Sequence, residues 1–91
     1  MDLEFSSAEE LYKRLMPALR TKKSELKKYG YGYLKIEDIW NYLKEKVWKN
    51  SHGLSLNDMV NDILNSNDEA IDYYFKEKLS EKNREVYFDG F

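Results

Sequence analysis

Cysteine is absent from this chain of 91 residues, which excludes disulfides, thiolate zinc sites and cysteine nucleophiles together. Histidine occurs once. His52 stands in a polar turn next to Gly53, with no serine or aspartate at a spacing diagnostic of a nucleophile and its base, so it reads as a solvated loop residue. The chain carries no phosphate-binding glycine loop, dinucleotide signature or zinc-ligand spacing. No apolar run approaches the length of a membrane span. The start, Met1-Asp2-Leu3-Glu4, is acidic where a secretory signal needs positive charge. These absences lead to the expectation of a soluble, cytoplasmic protein that is not an enzyme and uses no metal or cofactor.

What is present suffices for one core. A chain this short buries only about 60–65% of its unfolded surface, too little for two interiors. Its 42% apolar content, with two tryptophans, eight tyrosines and four phenylalanines, can fill one. One short pattern occurs twice, Leu34-Lys35-Ile36-Glu37-Asp38-Ile39-Trp40-Asn41 and Leu54-Ser55-Leu56-Asn57-Asp58-Met59-Val60-Asn61. Each copy is a leucine, a spacer, an aliphatic residue and an aspartate ahead of helix-spaced apolar positions, so the two read as similar helix starts packed in one core.

The predicted fold class is all-α, a compact bundle of about four short helices. Ser7 and Glu10 fit a capping box with Phe5 as staple, opening helix 1. Leu11, Leu15, Ala18, Leu19, Leu26 and Tyr29 share one arc of that helix, and Pro17 is expected to kink or split it before the helix resumes. Gly30 suits a left-handed stop. The run Tyr29-Gly30-Tyr31-Gly32-Tyr33 is a turn whose rings can cover helix ends or offer stacking faces to bases. Helix 2 is expected over about Ile36 to Val47, on the stripe Ile36, Ile39, Trp40, Leu43 and Val47, with Trp40 buried, Tyr42 exposed and Trp48 closing the core. Ser55 should cap helix 3, which buries Leu56, Met59, Val60, Ile63 and Leu64. A second capping box, Ser66 with Glu69, should open helix 4, which buries Ile71, Tyr74, Phe75 and Leu79 and runs out among residues 81–84. Residues 1–82 then form a single helical domain and 83–91 a C-terminal tail. Residues 33–34 and 54–55 are candidates for a minimal two-stranded ladder.

Net charge is −2, but it is unevenly laid out. Residues 1–12 hold four acids and no base; 13–49 hold 11 lysines and arginines against four acids; 50–91 hold nine acids against four bases. A basic and an acidic surface follow. On helix 1, Lys13, Arg20, Lys23 and Lys27 cluster opposite the apolar arc with Lys28 and Arg14 alongside, an arrangement that can neutralise phosphates or simply solvate the helix. Lys13, Arg20, Lys23, Lys27 and Lys28 are the candidate face for RNA or a partner. Tyr42, Tyr73, Tyr87 and Phe88 are candidate protein-interaction residues. Asp58 and Asp62, four apart on helix 3, face one way and can hold a hard cation only with further ligands, which the sequence does not supply.

The order Met16-Pro17-Ala18-Leu19, Gly30-Tyr31, Glu37-Asp38-Ile39-Trp40, Lys46-Val47-Trp48-Lys49 and Asp62-Ile63-Leu64 resembles the ComN-type post-transcriptional regulators, small cytoplasmic proteins of Gram-positive bacteria. The similarity covers roughly residues 10–75 and contains no catalytic motif. The resemblance implies control of gene expression at the mRNA level, a link to competence genes and recruitment by a polar division protein. Two classes stay open: a regulator that reaches mRNA, directly or through a partner, and a protein–protein adaptor with no nucleic-acid contact.

Overall fold

The computed structural model describes the backbone of residues 8–89 and the side chains of residues 8–82. Four helices follow in order: α1 (Ala8–Lys28), α2 (Ile36–Tyr42) continued by a π-helical turn (Leu43–Val47), α3 (Leu56–Leu64) and α4 (Asp68–Asp89). No strand occurs among the described residues, and 33–34 and 54–55 form no ladder. The capping box expected at Ser7 lies outside the described residues.

Helix α1 runs unbroken through Pro17. The proline lies on the exposed side, where the carbonyl that loses its amide partner can turn to water, and Thr21 Oγ1 donates to the Pro17 carbonyl at 3.1 Å. The helix ends as expected at Gly30, with φ +97. The Tyr31 amide donates to the Leu26 carbonyl (2.7 Å) and the Gly30 amide to that of Lys27 (3.4 Å), the paired bonds of a Schellman stop. Tyr29, expected on the buried arc, is 63% exposed because the helix has already ended there.

The repeated pattern produces two similar helix starts. The Asp38 carboxylate accepts from the Lys35 amide at 2.8 Å, and the Asp58 carboxylate accepts from that of Ser55 at 3.1 Å. Ser55 returns the bond, its Oγ accepting from the Asp58 amide at 3.0 Å, whereas a lysine side chain has nothing to accept with. Helix 2 spans the expected residues, but its second half widens into a π turn in which the Trp48 amide reaches back five residues to Leu43 at 2.8 Å.

Leu15, Ala18, Leu19 and Leu26 of α1, Leu34, Ile39, Leu43, Met59, Ile63 and Ile71 form the core. Helix α1 packs on α2 and α3, and α4 packs on α2. Trp40 and Tyr42 are both half-buried, which corrects the expected buried-versus-exposed contrast. Trp40 sits edge-on to Tyr12 (5.1 Å) and Trp48 (5.8 Å), while Tyr42 turns edge-on to Tyr74 (5.9 Å), a neighbour from α4 that helix 2 alone does not reveal. Leu64 and Leu79, expected inside, are 38% and 45% exposed.

The start of α4 also differs from expectation. Asn67 is the cap, its Oδ1 accepting from the Ala70 amide at 2.8 Å, and Ser66 instead donates its hydroxyl to the Asp62 carbonyl at 2.6 Å. The helix continues to Asp89 rather than ending among residues 81–84, since no glycine or proline intervenes before Gly90.

Candidate nucleic-acid interface

Lys13, Arg20 and Lys27 succeed one another at seven-residue intervals on α1, so they drift by only about 20° per step and form one line. At 1.5 Å rise per residue the line is about 21 Å long. All three are exposed, and none has an ion-pair partner among the described residues. Lys28 is exposed to one side, with its ammonium 5.9 Å from the centre of the Tyr29 ring. Arg14 pairs with Glu10 at 3.7 Å.

Lys23 differs from its neighbours. Its Nζ donates to the carbonyls of Gly32 (3.1 Å) and Leu34 (2.6 Å), so it fastens the turn that follows α1 and is only half-exposed. Lys22, which sequence reading passed over, is 1% exposed. Its Nζ lies 3.0 Å from Glu25 and 2.8 Å from Asp68, and it donates to the Ser66 carbonyl at 2.6 Å. The signal was in the spacing: Lys22 falls between Leu19 and Leu26 on the apolar arc, where a cation must find partners.

The turn beyond α1 adjoins the basic line. A side chain on Gly32 would meet Lys27 Cγ at 3.6 Å, so the Lys27 stem lies against the turn. The Tyr33 hydroxyl donates to Asp72, and its ring rests on Phe75 (5.8 Å) and edge-on to Tyr31 (6.5 Å). The bond to Asp72 is the main reason the Tyr33 phenol is held above its ordinary pKa. Lys76 pairs with the same Asp72 at 3.1 Å, and that bond holds its ammonium above its ordinary value.

The other sequence candidates separate. Tyr73 is 70% exposed, and with Tyr42, Lys46, Ala70, Tyr74 and Glu77 it lines a groove of about 280 Å³. The side chains of Tyr87 and Phe88 lie outside the described residues. Asp58 and Asp62 do not act as a pair: Asp58 caps α3, and Asp62 accepts from the Trp48 indole at 2.9 Å. Among the described residues no three His, Cys, Asp or Glu side chains group to hold a metal ion. No described helix is long and apolar enough to cross a membrane.

A family model described as post-transcriptional regulator matches residues 8–87. The chain belongs to this family. A curated relative, the post-transcriptional regulator ComN of Bacillus subtilis (strain 168), is 39% identical over 56 residues, 60% of this chain and 57% of its own length. The match thus spans little more than half of that relative. No solved structure matches.

Proposed function

We propose that this protein is a non-enzymatic, cytoplasmic regulator that acts post-transcriptionally on mRNA and contacts RNA directly through the exposed face of α1. The observation that carries the reading is the exposed line Lys13, Arg20 and Lys27 on α1, none with an ion-pair partner among the described residues. Cations spaced about 10 Å apart along a helix meet successive stretches of a phosphate backbone without reading its sequence. Lys28 extends the face, while Lys23 supports it from behind by holding the turn. Membership of a post-transcriptional regulator family supports the same reading.

The test is RNA retention by the K13E/R20E/K27E variant. All three side chains are exposed, so helical circular dichroism should match the parent while RNA affinity is lost. Lys23 is left in place, since its reversal would break two bonds of the turn. Unchanged RNA affinity in the triple variant would contradict direct contact through α1.

One observation favours the adaptor alternative: Tyr42 and Tyr73 line a single groove. A protein partner held there would stay bound after ribonuclease treatment of a native pull-down and be released by Tyr73→Ala, whereas an RNA-bridged partner is lost with the nuclease.

A further inference from the structure

We propose that Tyr29 and Tyr33 form a base-stacking platform at the end of the α1 line, so that the ligand is single-stranded RNA with unstacked bases rather than duplex. This rests on the reading of α1 as the RNA-facing helix and adds to it a second kind of contact.

The two tyrosines are 63% and 48% exposed, so much of each side chain is open to a ligand. They flank a turn that is fixed rather than loose. Gly30 holds the left-handed conformation, the Schellman bonds close α1, and Lys23 bonds two carbonyls of the turn from beneath. Tyr33 is further pinned through Asp72 and Phe75, so its exposed surface is presented without loss of ring freedom on binding.

The charges around the turn suit a nucleotide strand. The Lys27 stem lies against Gly32, the Lys28 ammonium over the Tyr29 ring at 5.9 Å from its centre, and Lys76 screens Asp72, which is itself only 8% exposed. The platform stands at the carboxyl end of α1, whose partial negative charge disfavours phosphate. A neutral base fits there, while phosphates lie along Lys13 and Arg20 further up the helix, and Lys27 and Lys28 offset the partial charge of the last turn. Exposed aromatic faces continuous with a basic track are the arrangement by which single strands are held without sequence readout. A duplex keeps its bases stacked on each other and cannot use the rings.

The test compares two labelled probes, a short single-stranded RNA carrying one 2-aminopurine and a blunt duplex of the same length, on the full chain. Tyr29→Ala should weaken single-strand binding at least about fivefold, since stacking contributes roughly 1–3 kcal/mol per base, and leave duplex binding unchanged. It should also reduce the quenching of 2-aminopurine in the bound state. Tyr29→Phe, which keeps the ring, should bind as the parent does. K13E/R20E/K27E should lose both probes. Tyr29→Ala binding single strands like the parent while the α1 variant binds neither would overturn the platform and leave the α1 reading intact. An equal loss on both probes would also overturn it, and a parent that binds neither probe would overturn both readings.

Discussion

Lys22 of α1 and Asp68 at the start of α4 meet at 2.8 Å, with the lysine side chain 1% and the aspartate 19% exposed. Asp68 Oδ1 is buried without an aligned hydrogen bond, so Lys22 is its compensation as a counter-charge. The same ammonium satisfies the Ser66 carbonyl in the link between α3 and α4. One side chain thus ties the first helix to the last. Lys22→Met keeps the bulk but leaves Asp68 unpaired, and should cost about 2–4 kcal/mol, below the range for fully sealed pairs because Asp68 is partly hydrated. Adding Asp68→Asn should recover part of the loss. Chemical denaturation measures both, and a Lys22→Met midpoint equal to the parent's would refute this role.

Trp40 is half-buried yet central to an aromatic row, edge-on to Tyr12 and Trp48, with the Lys44 ammonium 5.9 Å from its ring centre. Trp40→Ala removes all three contacts and should destabilise the domain by about 2–4 kcal/mol, whereas Trp40→Phe should cost less than half of that. Thermal melts of both variants check it. An alanine variant melting within a few degrees of the parent would show that the row contributes little.

The helices were legible where a local pattern determines them. The apolar periodicity of α1, the Gly30 stop and the twin aspartates of the repeat each act within a few residues, and each produced the expected element. What escaped depended on groups distant in sequence. Lys22 looked like one more cation until Asp68, 46 positions on, was placed beside it. Asp62 looked like half of an acidic pair until the π turn brought the Trp48 indole to it. Tyr42 looked solvated until α4 supplied Tyr74. Of the basic face, the line Lys13, Arg20 and Lys27 was visible in the spacing. The diversion of Lys23 was not, because its partners are backbone carbonyls of the next turn.

Alkaline pH should loosen the contact between α2 and α4. Tyr74 is buried, and burial first, then its interaction with the Glu45 carboxylate, push its phenol up to about 12. A phenol whose folded pKa is raised stabilises the fold fully below its unfolded value near 10 and loses that contribution as pH climbs towards 12, because only the unfolded chain ionises in between. The melting temperature of the parent should therefore fall across that interval, and more steeply than that of Tyr74→Phe. Parallel melting curves for the two proteins across this range would contradict the assignment. Glu45 shows the reciprocal effect: its interaction with Tyr74 holds its carboxyl below the usual range.

The salt dependence of RNA binding tests direct contact through α1 most directly. Each phosphate neutralised on a single strand contributes a slope of about −0.7 to the logarithm of affinity against the logarithm of salt. Contacts from Lys13, Arg20 and Lys27 alone should therefore give the parent a slope of about −2. The neutral variant K13Q/R20Q/K27Q should flatten the slope by about 2 while its melting temperature stays near the parent's. A parent with no measurable affinity at low salt, or a neutral variant with the parent's slope and affinity, would contradict the account.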